Sequence, residues 1–372
     1  MINRERLLEE FLELVRIPSP SGREKAMADL LVAKLAQMGL QVTVDDAGDK
    51  VGGQTGNVIG RLKGTVEAPT ILFSAHMDTV TPCDAINPIV KNDTVYSDGT
   101  SVLGADDKGG ITAILEALRV LKENSIPHGD VEVVFSIWEE GGLKGAFNLD
   151  TSALRAKHGY VLDSGGDVGQ IITSGPAQDK IDAVIRGRSA HAGVAPEEGV
   201  SAIMIAARAI DRMNLLRIDP ETTANVGYIM GGGATNIVTP EVTIRAEARS
   251  LDQEKLDRQS RHMVQCLEEA ASHFGGSAEV TVTRAYPPFR LDDQHPTVAM
   301  VKRALERMGV TPTTTSTGGG SDTNVLNSKG IPSVNLGVGM RKVHTLEEHI
   351  HVKDLETSAR MVLEIIRSFA GA

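Results

Sequence analysis

Six residues able to bind metal or move protons fall where apolar, strand-like runs end. They are His76 and Asp78 in SAHMDT, Asp106 in GADDKGG, Glu139 and Glu140 in WEEGG, and Asp163 in VLDSGG; His344 follows in KVHTLEEH. Three carboxylates and two imidazoles are the donors that a pair of divalent ions needs, and one further carboxylate is left as a base. Residues two apart in an extended chain point the same way, so Asp78 can accept a hydrogen bond from one His76 nitrogen while the other binds metal. A carboxylate at Asp106, just ahead of a helix, can bridge two ions. Glu139 and Glu140 follow the run VVFSIW, and two adjacent carboxylates beside a buried sheet are costly unless paired or metal-bound. One of them can bind metal while its neighbour faces a water as general base.

Singly, each motif also has a plainer reading. HMD can be a polar turn, DDKGG a capped helix start, EEGG a solvated turn, and His344 one of ten ordinary histidines. Their joint order at successive strand ends makes the chemical reading the better one.

The elements that must position these residues alternate. Helical spacing covers residues 24–38 and 107–124, with Gly39 as a stop for the first. Strand-like runs cover 40–44, 57–62, 70–75, 131–137 and 160–162. This alternation predicts an α/β fold with a mixed, mostly parallel sheet flanked by helices, whose ligands gather at the carboxyl ends of the strands. From about residue 175 the order becomes β-α-β-β-α-β (181–185, 201–214, 225–229, 242–248, 252–273, 279–283), which predicts an inserted ferredoxin-like α+β domain. The expected boundaries are 1–175 and 287–372 for the first domain and 176–286 for the insert. A helix over 297–308, a Gly-rich turn at 317–321, a strand over 333–336 and a helix over 352–369 complete the chain. No internal repeat or low-complexity tract interrupts it.

At 372 residues the chain is long enough for two domains, and 41% hydrophobic residues can fill their cores. Aromatics are only 3%, so those cores must be mainly aliphatic. A net charge of −11 argues against nucleic acid or an anionic membrane as partner. Cys83 and Cys266 cannot make a disulfide framework. With no signal-peptide pattern and no run of about 18 apolar residues, a cytoplasmic protein is expected.

The combined motifs resemble those of the di-zinc exopeptidases, the superfamily of peptidase T, the glutamate carboxypeptidases and the aminoacylases, and the shorter peptidase T-like members most of all. The resemblance runs from Ile17-Pro18-Ser19 to the last helix. It implies that His76, Asp106 and Asp163 hold one metal, that Asp106, Glu140 and His344 hold the other, that Glu139 is the general base and that Asp78 orients His76. Zinc is the expected metal, with cobalt or manganese acceptable to the same donors.

The resemblance also implies a homodimer formed through the inserted domain as a lid. His191, in GRSAHAG, would then polarise the scissile carbonyl across the dimer. Asn236 and Arg249 resemble substrate-binding positions, Arg249 as a fork for a carboxylate. Gly319, in TGGGSD, would offer main-chain N–H groups to an anionic substrate group; no Gly-Lys-Ser/Thr follows, so this is no nucleotide loop. The implied activity is hydrolysis of short peptides, as a tripeptidase or aminopeptidase. An N-acyl-amino-acid deacylase or carboxypeptidase would use the same site, and a non-catalytic dimeric binding protein is the rival of another class. Aspartate at 163 resembles the aminopeptidase and tripeptidase branch. His349 and His351 lie close to His344, which is preferred on its His-Thr-x-x-Glu spacing.

Overall fold

A computed structural model describes residues 1–371, which fall into two compact units. The first comprises Met1–Ser174, Arg290–Ser316 and Ser321 onward; the second comprises Gly175–Phe289 and Thr317–Gly320. The second unit thus takes in the Gly-rich turn that the sequence boundaries leave in the first.

In the first unit a nine-stranded mixed sheet runs in the order 41–44, 58–62, 131–136, 71–76, 158–164, 333–337, 170–175 and 289–290, with 313–316 also paired to 170–175. Its four central strands, Val131–Ser136, Ile71–His76, His158–Ser164 and Ser333–Gly337, are parallel to one another. Val131–Ser136 and Ile71–His76 are buried along their whole length, which is why they read as continuous apolar runs rather than alternating ones. The parallel register sets His76 opposite Ser136. Ser74 pairs with Val161, so His76 and Asp163 both lie two residues beyond that pair. The chemistry-bearing residues therefore gather at one end of the sheet, as parallel strands require.

The helix Ala105–Glu123 packs on this sheet and is buried almost throughout. Asp106 and Asp107 have non-helical backbone angles at its start. Gly110 permits the close approach: a Cβ there would lie 2.5 Å from the main-chain oxygen of Leu162. The closing helix Val352–Phe369 coincides with the range that its apolar spacing predicts. A second, small sheet of Ile89–Lys91, Thr94–Tyr96, Met340–Arg341 and His349–His351 was not expected from the sequence. Strands of two or three residues carry no readable alternation.

The second unit is built on an antiparallel sheet in the order 222–231, 241–250, 177–186, 277–286, with the short strand Leu216–Arg217 added at one edge. The helices Ala202–Arg212 and Gln253–Phe274 cover it around an aliphatic core that includes Ile181, Ile185, Ile205, Leu256 and Leu267. This is the ferredoxin-like order of strands. Both cysteines are free and buried. Among the described residues no helix is long and apolar enough to cross a membrane.

Candidate metal centre

Each donor is delivered by a different strand end or loop of the first unit. His76 ends its strand, and its main-chain N–H donates to Asp107 Oδ2 at 3.1 Å. Its Nδ1 lies 2.8 Å from the main-chain oxygen of Asp78. A carbonyl can only accept, so Nδ1 carries a hydrogen, and Nε2 is the nitrogen that can offer a lone pair to a metal once it gives up its proton. Asp78, expected to meet this ring with its carboxylate, meets it with its main-chain oxygen, and the carboxylate is farther away at 3.5 Å. That carboxylate instead accepts from the amides of Glu139 (2.8 Å) and Glu140 (3.2 Å) and from Ser21 Oγ (2.6 Å).

Asp106 stands between the two imidazoles. Its Oδ1 is 3.1 Å from His76 Nε2, and its Oδ2 is 3.3 Å from His344 Nε2. Glu140 Oε1 is 2.7 Å from the same His344 nitrogen, and Asp163 Oδ1 is 3.7 Å from His76 Nε2. Asp163 is pinned by its neighbour strand: its N–H donates to Asn335 Oδ1 (3.0 Å), and Asn335 Nδ2 donates back to its carbonyl (2.9 Å). His344 sits in a loop with φ +64° and is half exposed.

Residues 72–368 match the pattern of Peptidase family M20/M25/M40. The chain belongs to that family. It is 48% identical to an aminopeptidase PepT of Bacillus cereus, with 99% of each chain covered and a TM-score of 0.94. It is 45% identical to a tripeptidase of Staphylococcus aureus, with full coverage of both chains and a TM-score of 0.98. A dinuclear metal-binding M20 peptidase of Bacillus subtilis, 17% identical over 98% of this chain and 97% of its own, shares the fold with a TM-score of 0.76.

The electrostatics of this M20 site suit cations. Burial pushes the Glu139 carboxyl well above its usual range, and the nearby Asp163 carboxylate adds to this. Burial does the same to Asp163, with Asp106 adding to it. Burial opposes a charge on His76, yet the contacts with Asp106 and Asp78 outweigh it and hold the imidazole well above its ordinary value. Asp106 and Glu140 hold His344 up at about 10. Four buried or half-buried carboxylates thus face two imidazoles, and ionising all four would leave an excess of negative charge that oxygen- and nitrogen-seeking divalent ions would neutralise. The donor set therefore fits a metal.

The remaining candidates named from the sequence, His191, Asn236, Arg249 and Gly319, belong to the second unit. His191 is exposed, and its Nδ1 accepts from the Gly193 amide at 3.2 Å. The carbonyl of Asn236 accepts from the neighbouring Ala192 amide at 2.9 Å. The Arg249 fork, expected to grip a substrate carboxylate, grips Glu247 (2.9 and 3.1 Å) and the Gly318 carbonyl (3.2 Å). The Gly319 amide, expected to face an anion, donates to Thr317 Oγ1 at 3.2 Å. The next helix starts only at Asp322, capped by Ser321.

Residues that the sequence did not single out complete the centre. Asp107 ties the His76 amide to that of Gly110, so its oxygens are spent on backbone although it lies within reach of Asp163. Glu348 accepts from the amides of Gly104 (2.7 Å) and Asp106 (2.9 Å). Its only sequence signal is its place in the His-Thr-Leu-Glu-Glu run. His349 and His351 are engaged elsewhere: His349 stacks on Tyr96 (5.2 Å between ring centres), and His351 Nδ1 is 2.7 Å from Thr94 Oγ1.

Proposed function

We propose that this M20 peptidase hydrolyses short peptides from the amino terminus with two divalent ions, zinc by first choice. The observation that carries this reading is the convergence of four donor side chains, those of His76, Glu140, Asp163 and His344, with Asp106 beside a buried Glu139. Similarity close to half of all residues, over the full chain, to an aminopeptidase PepT and a tripeptidase supports the substrate class.

In this reading His76, Asp106 and Asp163 would hold one ion, and Asp106, Glu140 and His344 the other. When bound, the ions would act as Lewis acids on the scissile carbonyl and make a water more acidic, toward a pKa of ~7. Glu139 accepts one proton from the attacking water at a carboxylate oxygen. The water oxygen bonds to the carbonyl carbon, the C–N bond breaks, and Glu139 returns the proton to the leaving nitrogen. Its desolvated setting makes Glu139 a stronger base than a solvated carboxylate. His191 serves the developing oxyanion from a second copy of the chain, and the second unit is the dimerising lid. Exposed Ile203, Met204, Ile229 and Met230 on that unit support such an interface. Two unpaired cysteines support a reducing, cytoplasmic setting.

The test is a panel of free di- and tripeptides and N-acyl amino acids, assayed after chelation and again after metal is restored. Metal-dependent release of amino-terminal residues is expected, with Glu139→Ala losing about 10²–10⁴-fold in kcat while retaining its metal. Cleavage of acylated substrates alone would move the chain to the deacylases. Full activity in Glu139→Ala would overturn the assignment of the base.

A further inference from the structure

Four consecutive main-chain amides, those of Ile137, Trp138, Glu139 and Glu140, donate to side chains rather than to a sheet or helix. Their acceptors are Asn57 Oδ1 (3.0 Å), Glu24 Oε1 (3.0 Å), Asp78 Oδ1 (2.8 Å) and Asp78 Oδ2 (3.2 Å). Residues 139 and 140 therefore sit in a turn whose shape is dictated from outside, and Trp138 takes φ +51° within it. Glu24 and Asn57 are wholly buried. Glu24 Oε1 also accepts from the Gly22 amide at 2.8 Å, while its Oε2 is buried with no hydrogen-bond partner. Gly22, at φ +85°, lies under the Trp138 ring, which a Cβ there would meet at 3.2 Å. Lys144 Nζ also lies over the Trp138 ring, 3.8 Å from its centre. The segment from Ser19 to Glu24 is fastened to the His76 strand end as well, through Ser19 Oγ to the Met77 carbonyl (2.8 Å) and the Thr79 amide to the Ser19 carbonyl (2.9 Å).

We propose that Glu24 is a positioning residue for the base and the metal ligand on this turn: through the Trp138 amide it sets where the Glu139 and Glu140 carboxylates stand. The role for Glu139 rests on the reading of Glu139 as the base; the role for Glu140 needs only that a metal binds. A buried amide left without an acceptor turns to find one, and a shift of ~1 Å in a catalytic group can cost about 10²-fold. Glutamine should replace Glu24 well, because one oxygen does all the accepting.

Glu24→Ala, Glu24→Asp and Glu24→Gln are compared with the wild type and with Glu116→Gln, a buried change far along the helix Ala105–Glu123. At saturating metal the expected order of kcat is Gln above Asp above Ala, with Ala down about 10–100-fold and KM nearly constant. Metal titration without substrate should show one of the two sites weakened in Glu24→Ala and restored in Glu24→Gln. Glu116→Gln should lower the melting temperature and leave kcat and both affinities alone. Equal kcat and equal metal affinities across the Glu24 series would overturn the proposal, as would a matching loss in Glu116→Gln. If the wild type cleaves no peptide, the peptidase reading fails, and the metal titration still decides the role of Glu24.

Discussion

Asp106 offers one carboxylate oxygen toward each imidazole, and Glu348 fixes it there by taking its own amide and that of Gly104. Burial raises Glu348 to about 7, so these two amide bonds are made at a cost in solvation. Truncation should therefore be felt at the metal. Glu348→Ala should weaken metal binding about 10–100-fold by titration calorimetry, the scale typical of groups that orient ligands. His349→Ala should leave the affinity unchanged, because that ring is stacked on Tyr96; a comparable loss there would move the ligand away from His344. Motifs at strand ends were readable because residue type and position coincide in a few letters. Asp107, Glu348 and Glu24 were not, because what they hold is backbone. Glu24 meets an amide 114 positions away, a distance that no local pattern encodes.

At the scale of elements, the helix Ala105–Glu123 is the axle of the first unit and buries Glu116 completely. That carboxylate accepts from the Asn3 amide (2.8 Å) and from Arg6 Nε and Nη2 (2.8 and 2.9 Å), bolting the first helix, Arg4–Val15, to the axle. Removing one partner strands the others, so Glu116→Ala should lose about 3–5 kcal/mol in denaturant unfolding. The strand His158–Ser164 opens on a half-buried histidine whose Nδ1 is 2.9 Å from Thr297 Oγ1 and whose ring lies 5.0 Å from that of Phe369. Burial, with His295 adding to it, lowers its pKa below the ordinary 6.5. Just below pH 6.5 the unfolded chain then binds more protons at this site than the folded one, so stability falls as pH falls through that window and is fully present above it. His158→Asn should flatten the fall in melting temperature between about pH 7 and pH 5.5; parallel curves for the two proteins would show that this ring takes no part. The long helices were legible from their spacing, Val352–Phe369 to the residue, whereas the short ones at Ala47–Val51, Lys144–Asn148 and Asp322–Ser328 span too few turns to show one. The Asp106–Asp107 backbone departure was hidden, because the helical apolar pattern begins just beyond it.

For the whole molecule, every donor of the centre and Glu139 lie in the first unit. Metal that binds only the folded state stabilises it by about 2.7 kcal/mol at a hundredfold excess over Kd, so chelation should lower the melting temperature and added metal should restore it. The chain leaves the first unit along Gln170–Gly175 and comes back along Phe289–Arg290, two strands that lie side by side, with the Leu291 amide donating to the Thr173 carbonyl at 2.8 Å. The doorway for more than a hundred residues is thus no wider than a hairpin. To the first unit the insert is a long loop whose ends already touch, and closing such a loop costs only slowly more as it lengthens. A short Gly-containing turn joining residues 175 and 289 should therefore yield a protein that still folds and still binds metal, and loss of metal binding in it would show that the insert completes the centre. The same doorway makes this scaffold a cassette: inserts of other shapes can be exchanged between residues 175 and 289 while every donor named above stays in the first unit.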